Sequence, residues 1–261
     1  MSPLSKGRRL RSDVAWSSAD RIVVRGHDLP DLIGRVGLGD FAFLELRGHL
    51  PNAAESAVFN AIAITLVEHG VTPSVIAARM TYLGAPESVQ GAVAAGLLGL
   101  GDRFGGPVGD AARMLQEAVA AAPPGEDAAL TAERAVALRR ETGSPVPGVG
   151  HPLHDPLDPR VPRLFEVAAE HGFAGRHVEL IGLVSEEASR VLGRRLPVNA
   201  TGAVGAIASE LGFPWQACRG LAVLARAIGL VAHIQEEAAA PMAREIWART
   251  EEEATEHLRG G

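Results

Sequence analysis

The sequence predicts an all-α protein whose helices are joined by short turns rich in glycine and proline. Apolar residues recur at helical spacing, as Val58, Ile62 and Leu66 do at positions i, i+4 and i+8. Aromatic residues make up only 4% of the chain, whereas 30 glycines allow helices to pack closely. The run at 21–29 is β-like, but it is short and Gly26 closes it.

Local start and stop signals divide the chain into predicted helices. Asn52 with Glu55 three residues later is a helix N-terminal signature, and Gly70 ends that helix. Pro73 begins the next helix. The segment at 102–107 is predicted to be a turn, and the charged tail at 251–261 is predicted to fray. Further helices are predicted at 88–100 (apolar on most faces and therefore buried), 111–122, 131–141, 161–171, 177–192, 202–211 and 215–237.

Composition limits the classes of function. With 261 residues, the chain forms one large domain or a large and a small one. A net charge of −6 argues against a nucleic-acid partner. A single cysteine, Cys218, excludes an internal disulfide and fits a reducing cytoplasm. No apolar stretch follows the basic N-terminus, and the apolar window at 220–234 contains Arg226, so we expect a soluble cytoplasmic protein that spans no membrane.

The loop at 147–160, between long predicted helices, contains two histidines, two aspartates and an arginine. Its four prolines and two glycines exclude a regular helix, and loops on a helical frame often carry ligand sites. His151 and His154 with Asp155 and Asp158 have some resemblance to metal ligands, but this stretch has no cysteine, and the chain has no HExxH motif and no second histidine pair at ligand spacing, so we predict no metal. The alternative is a surface crossover whose His and Asp side chains only cap turns.

Arginine and histidine residues at helix ends and loops predict a ligand with several carboxylates. Guanidinium groups bind carboxylates with two hydrogen bonds, and a histidine can bond a hydroxyl or keto oxygen. His69, His151, Arg160 and Arg226 form this candidate set. Arg226 lies in an apolar run and needs a partner or a ligand if it is buried, whereas His69 has the simpler alternative of complementing a helix C-terminus.

Five stretches occur in the order found in one enzyme family. They lie at 25–32, 47–51, 96–106, 148–160 and 226–233. The third reads GLLGLGDRFGG and is similar to a run in the lyase module of ATP-citrate lyase, while the fourth fits the spacing GxGHxxxxxxDPR without a gap. On these motifs the sequence resembles the citrate synthase superfamily, most closely its citryl-CoA lyase branch.

The resemblance implies a citrate synthase-like helical fold, in which a smaller domain closes over a cleft in a larger one. The larger domain would comprise 1–106 and 198–261, and the smaller one 107–197. It also implies an obligate homodimer that binds coenzyme A, as an acyl-CoA substrate, together with small carboxylate ligands.

The resemblance assigns site residues by position. His69 and His151 would bind the oxaloacetate or citryl group, and Arg160 and Arg226 would hold its carboxylates. Phe104 stands where synthases have a catalytic histidine. The residues assigned to coenzyme A are Gly148, Val149 and Gly150 for the adenine and Arg194 or Arg195 for the phosphates, and Arg244 would be donated across the dimer.

Two departures fall in the implied site. The segment that begins at Asn199 resembles the family's NVDxxxG, but Thr201 replaces the catalytic aspartate, and Pro152 replaces a substrate-binding arginine. Threonine is not a general base near neutral pH. A substitute acid would be Asp102, His154, Asp155 or water.

We therefore predict a citryl-CoA lyase-like C–C lyase with His151, Asn199 and Thr201 at the reacting centre. It would cleave a 3-hydroxyacyl-CoA to acetyl-CoA and oxaloacetate or a related keto acid. One alternative is citrate synthase-like condensation or thioester hydrolysis, which Phe104 disfavours. The other is an acyl-CoA-binding homologue without turnover, which Thr201 and Pro152 favour.

Overall fold

A computed structural model of the chain describes residues 10–150 and 157–259. His151, Pro152, His154 and Asp155 lie outside the described residues. The chain divides into two compact units, 1–60 and 61–261. The described residues are predominantly helical, which confirms the all-α prediction. The division into domains at 107 and 197 stays a prediction.

The first unit contains a small antiparallel sheet followed by helices. Its elements are β1 (Ala15–Ser17), β2 (Ile22–Val24), β3 (His27–Asp28), α1 (Leu29–Leu32), α2 (Leu38–Arg47) and the first half of α3 (Ala53–Val67). The β-like run folds back as a hairpin at Arg25 and Gly26, whose φ angles of 48° and 86° suit a tight two-residue turn. The sequence did not predict β1, which is exposed throughout, or α2.

The start of α3 confirms its predicted capping signature. The side-chain oxygen of Asn52 accepts the backbone N–H groups of Ala54 (2.9 Å) and Glu55 (3.0 Å). The Glu55 carboxylate in turn accepts the N–H of Asn52 at 2.9 Å. Four residues of sequence are therefore enough to fix this helix start.

Helices make up the second unit around a buried central helix. After α3 come α4 (Pro73–Gly84), α5 (Val89–Leu100), α6 (Gly106–Ala121), α7 (Ala128–Glu141), α8 (Arg160–Glu170), α9 (Arg176–Leu192), α10 (Ala200–Glu210), α11 (Trp215–Ala239) and α12 (Ala243–Arg259). The central helix is α10, which is buried over most of its length and packs against α6, α8 and α9. A Cβ on Gly205 would lie 2.9 Å from the Ala112 nitrogen, so glycine allows α10 and α6 to approach.

Three sequence predictions about helix limits and burial are wrong. On α5 only one face is buried, and Leu98 is 82% exposed, because α4 and α11 cover the helix on one side. The segment predicted as a turn is a π-helical turn, Gly101–Gly105, that continues directly into α6. Proline is compatible with the first turn of a helix, so α6 begins at Gly106, before Pro107, and not at 111 as predicted.

The third correction concerns the C-terminal tail, which is helical to the end of α12 rather than frayed. The start of α12 is capped from outside the helix. The Glu237 carboxylate accepts the backbone N–H groups of Met242 (3.1 Å) and Ala243 (2.9 Å). These bonds satisfy donors that a helix N-terminus otherwise leaves unpaired.

Among the described residues, α11 is long and apolar enough to cross a membrane by length and composition alone. This is weak evidence of a span, because the core helix of a globular protein passes the same test. Helices α4, α5 and α6 pack against α11, and the helix carries the buried side chain of Arg226.

Candidate active site

A cavity of about 580 Å³ in the second unit brings together seven predicted site residues. That volume lies within the usual range for small-molecule sites. The predicted residues that line it are His69, Phe104, Gly150, Arg160, Asn199, Thr201 and Arg226. They come from separate parts of the chain: the end of α3, the π-helical turn, the loop before α8, and the starts or middles of α8, α10 and α11.

The glycine-rich segment forms one wall by pairing with the strand-like segment before α10. The Gly150 N–H donates to Pro197 O at 2.7 Å, and the Asn199 N–H donates to Gly148 O at 3.0 Å. Gly148 and Gly150 both have positive φ, and a Cβ on Gly148 would lie 2.7 Å from the Cα of Gly202. Glycine is therefore required at 148 by a close backbone contact as well as by backbone conformation, and at 150 by backbone conformation.

Asn199 organises the start of α10 at the floor of the cavity. Its side-chain oxygen accepts the Gly202 N–H at 3.1 Å and the Thr201 hydroxyl at 2.7 Å. Its amide nitrogen donates to Gly150 O at 2.6 Å. Asn199, predicted at the reacting centre, thus caps α10 and fixes both Thr201 and the glycine-rich wall.

Asp158 holds Arg160 in place at the start of α8. The buried carboxylate accepts Arg160 Nε at 2.9 Å and Nη2 at 2.7 Å, and also accepts the Ala200 N–H at 3.1 Å. Burial alone would raise the pKa of Asp158, but the hydrogen bonds from Arg160 and Ala200 outweigh it and lower the pKa to about 2. Asp158 therefore joins α8 to α10 and directs a guanidinium to the cavity.

Arg226 is the most unusual group in the site. Its side chain is 8% exposed, and neither Nε nor Nη1 has a hydrogen-bond partner. Burial lowers its pKa, the charge of Glu68 raises it, and the charge of Arg160 lowers it again. A buried cation with unpaired donors is costly unless an anion completes it, so the ligand that Arg226 requires is a carboxylate or another anion.

Sequence reasoning missed Arg103, which also lines the cavity. Arg103 and Phe104 lie on the π-helical turn, a distortion that often occurs at functional sites. Arg103 has no ion pair among the described residues, and no aspartate or glutamate is among the described residues that line the cavity. A charged residue next to Phe104 in the GDRFGG motif was the available signal. Asp102, a candidate acid, instead pairs with Arg219 at 2.5 Å and is exposed.

Other lining residues that the sequence did not single out supply hydroxyl groups and apolar surface. Thr72 and Ser74, for example, exchange a hydrogen bond of 3.0 Å at the start of α4. The remaining ones are Thr65, Leu66, Val71, Pro73, Leu100, Pro107, Val108, Ala200 and Ala222.

The structure leaves some predicted residues outside this cavity. Arg194 and Arg195 are exposed in the loop after α9, and Arg195 lines a second, more open depression along α8 and α9. Arg244 is exposed near the start of α12. Gly148 and Val149 do not line the cavity. Their proposed contacts with coenzyme A, and the contact of Arg244 across a dimer, stay predictions.

Metal ligands are a separate question. Over the described ranges, no group of three or more His, Cys, Asp or Glu side chains is arranged to hold a metal ion. Three of the four residues considered for a metal, His151, His154 and Asp155, fall outside those ranges.

Comparisons with known proteins agree with these features. A family model described as the citrate synthase C-terminal domain matches residues 51–247. A citryl-CoA lyase from Hydrogenobacter thermophilus is similar in structure, with a TM-score of 0.80 and 36% identity over 88% of this chain and 87% of that one.

More distant matches fit the same family. An ATP citrate lyase from Methanosaeta concilii, solved in complex with (3S)-citryl-CoA, shares the fold with a TM-score of 0.74 at 22% identity, over 90% of this chain and 40% of that one. The ATP-citrate synthase beta chain protein 1 from Arabidopsis thaliana is 31% identical over 233 residues, which are 81% of this chain. This chain spans only 36% of the length of that relative.

Proposed function

This chain belongs to the citrate synthase family, and we propose that it is a citryl-CoA lyase-like enzyme. The reaction is the cleavage of a carbon–carbon bond in a 3-hydroxyacyl-CoA, either citryl-CoA or a related thioester. The products are acetyl-CoA and oxaloacetate or a related keto acid. The similarity to a citryl-CoA lyase over most of both chains supports this assignment.

The observation that carries the proposal is the set of guanidinium groups around the cavity. Arg226 presents two buried N–H groups without partners, and Arg160 and Arg103 line the same cavity. Asp158 accepts from Nε and Nη2 of Arg160, but no acidic side chain is among the described residues that line the cavity. The free carboxylates of a citryl group would satisfy these donors, and the positive charges would repel a cationic ligand.

The chemistry requires two proton transfers. A base removes the proton of the hydroxyl group, the C–C bond breaks to give a carbonyl and a thioester enolate, and an acid protonates the enolate carbon. We assign polarisation of the hydroxyl and nascent carbonyl oxygen to His151, helped by His69 at the cavity wall. Thr201 is not an acid of suitable pKa, so we assign protonation of the enolate to water, His154 or Asp155.

Coenzyme A would reach the cavity from the side of the glycine-rich segment. Backbone groups of Gly148, Val149 and Gly150 would contact its adenine, and Arg194 or Arg195 its phosphates. Positive charge in the exposed loop after α9 supports this arrangement.

We also propose a cytoplasmic homodimer. Large apolar side chains are exposed on α3, α5 and α11, including Ile64 (73%) and Leu98 (82%), and such side chains are typical of surfaces that a second subunit covers. In that dimer Arg244 would reach the partner's site. The single cysteine, Cys218, is buried as a free thiol, which is compatible with a reducing compartment.

A turnover assay tests the proposed reaction directly. Purified protein is mixed with citryl-CoA, and oxaloacetate is followed through the loss of NADH with malate dehydrogenase. The expected result is cleavage well above the spontaneous rate, which Arg226→Met abolishes. Cleavage no faster than the spontaneous rate, from protein that binds coenzyme A, would reject the citryl-CoA assignment.

Thr201 favours one other function, an acyl-CoA-binding homologue without turnover. The Thr201 hydroxyl donates to Asn199, and no described carboxylate lining the cavity replaces the family's aspartate. Binding of coenzyme A and oxaloacetate without cleavage of any citryl-CoA would identify this case. Synthase-like condensation is disfavoured, because Phe104 has no proton to donate.

A further inference from the structure

Behind the cavity, a line of polar side chains runs from the end of α3 into the core. Glu68 Oε2 lies 3.2 Å from His233 Nε2. On the other side of the same ring, His233 Nδ1 lies 3.0 Å from Arg79 Nη2. Arg79 Nη1 then donates to Glu237 Oε2 at 2.8 Å. Glu68 and His233 are 165 residues apart in the sequence, so only the fold brings them together.

The direction of these hydrogen bonds is fixed by the chemistry of arginine. A guanidinium only donates, so His233 Nδ1 accepts from Arg79 and carries no proton. The proton of the neutral ring is then on Nε2, which donates to the Glu68 carboxylate. The hydrogen bond from Arg79 therefore fixes the orientation of the His233 ring, and the ring in turn fixes the position of the Glu68 carboxylate.

Arg79 forms the core end of this line. Arg79 is fully buried on α4 and is held by the carboxylates of Glu236 and Glu237 as well as by the ring of His233. Burial would raise the pKa of Glu237, but the hydrogen bonds from Arg79 and the α12 backbone lower it, so this carboxylate stays charged. A cation held by two carboxylates is a firm support for the His233 ring.

At its other end the line of side chains reaches His69 and Arg226, which together with Arg160 are called the carboxylate site here. Glu68 immediately precedes His69, and its negative charge is the one that raises the pKa of Arg226. Glycine at 229 makes this approach possible, because a Cβ there would lie 2.4 Å from both Glu68 Oε1 and Val67 O. The end of α3 therefore rests directly on α11, one turn from Arg226.

We propose that His233 is a positioning residue for the carboxylate site. By holding the Glu68 carboxylate, which also accepts the backbone N–H of His69, it fixes the backbone that carries His69. His233 itself does not line the cavity. The inference rests on the proposed function only in taking a keto dicarboxylate as the ligand.

The test measures binding of oxaloacetate to the full chain by titration calorimetry, which requires no turnover. His233→Phe removes both hydrogen bonds and is expected to weaken binding about tenfold, as expected for the loss of a charge-assisted hydrogen bond. His233→Gln keeps one acceptor and one donor on a side chain of similar reach, and is expected to restore the affinity to within about threefold of the original.

Substitutions at Glu68 distinguish the effect of its hydrogen bond to His233 from the effect of its negative charge. Glu68→Gln still accepts from His233 and should bind oxaloacetate within about threefold of the unchanged protein, whereas Glu68→Ala should lose as much as His233→Phe. Equal losses in Glu68→Gln and Glu68→Ala would overturn the positioning role, since charge alone would then be responsible.

A matched control excludes a general effect on folding. His177 is similarly half-buried and pairs with Glu210 at 2.9 Å, but it does not line the cavity. His177→Phe is expected to leave oxaloacetate binding unchanged. The proposal is overturned if His233→Phe binds as well as the unchanged protein, if His233→Gln binds no better than His233→Phe, or if the unchanged protein does not bind oxaloacetate. Oxaloacetate binding without citryl-CoA cleavage would reject the proposed reaction and leave this inference standing.

Discussion

Replacing Arg226 with methionine should make the protein more stable and less able to bind its ligand. In the folded chain, Nε and Nη1 of Arg226 are buried without partners, and Arg160 repels the guanidinium. Each buried donor without a partner costs about 1–3 kcal/mol, and the charge of Glu68 offsets part of that cost. Methionine has no donor and a stem of similar length, so we expect Arg226→Met to stabilise the fold by about 2 kcal/mol.

That gain should be visible in thermal unfolding. For a chain of this size, 1 kcal/mol shifts Tm by roughly 2–4 °C, so Arg226→Met should unfold about 4–8 °C higher than the unchanged protein. Arg226→Met should, in contrast, weaken the binding of oxaloacetate. Two charge-assisted hydrogen bonds to a carboxylate are worth roughly 3–5 kcal/mol, so the affinity for oxaloacetate should fall by about 10²–10⁴-fold.

The control for Arg226 is an arginine on the same helix that has a partner. Arg219 is half-exposed and pairs with Asp102, and a surface pair of this kind is worth about 0–1 kcal/mol. Arg219→Met should therefore change neither Tm nor affinity by much. A lower Tm for Arg226→Met, together with unchanged oxaloacetate binding, would show that Arg226 is a structural cation satisfied within the protein and would refute the reasoning.

Three further variants test other parts of the site. Asp158 has a folded pKa of about 2, below its unfolded value of about 4, so its ionised form stabilises the fold above pH ~4 and this contribution is lost as the pH falls toward 2. Asp158→Asn should cost about 2 kcal/mol in denaturant unfolding at pH 7 and little at pH 2, and an equal cost at both would contradict the ion pair with Arg160. Thr201→Asp should raise the rate of citryl-CoA cleavage by at least about tenfold in the coupled assay, while a rate no higher than the original would show that this aspartate is not what limits the reaction. Arg103→Gln should leave Tm unchanged and raise KM about tenfold, and an unchanged KM would place Arg103 outside the binding site.

Local sequence signals determined most helix positions in this protein. Asn52 and Glu55 fix the start of α3 by hydrogen bonds within four residues, and Pro73 begins α4. Such interactions form between neighbours in the chain and can be seen without a fold. The motifs also identified Arg160 and Arg226 as site residues, because ordered motif spacing carries information about the family even where no contact is visible.

Tertiary structure decided which partners those residues have, because hydrogen bonds and burial depend on distances between segments far apart in the sequence. It made Asn199 a cap for α10, left Nε and Nη1 of Arg226 without a hydrogen-bond partner, and brought His233 to Glu68. One-sided packing exposed Leu98 on a helix whose apolar composition predicted burial. The composition of a helix shows which of its faces are apolar enough to be buried, but the arrangement of the neighbouring helices determines which face is covered.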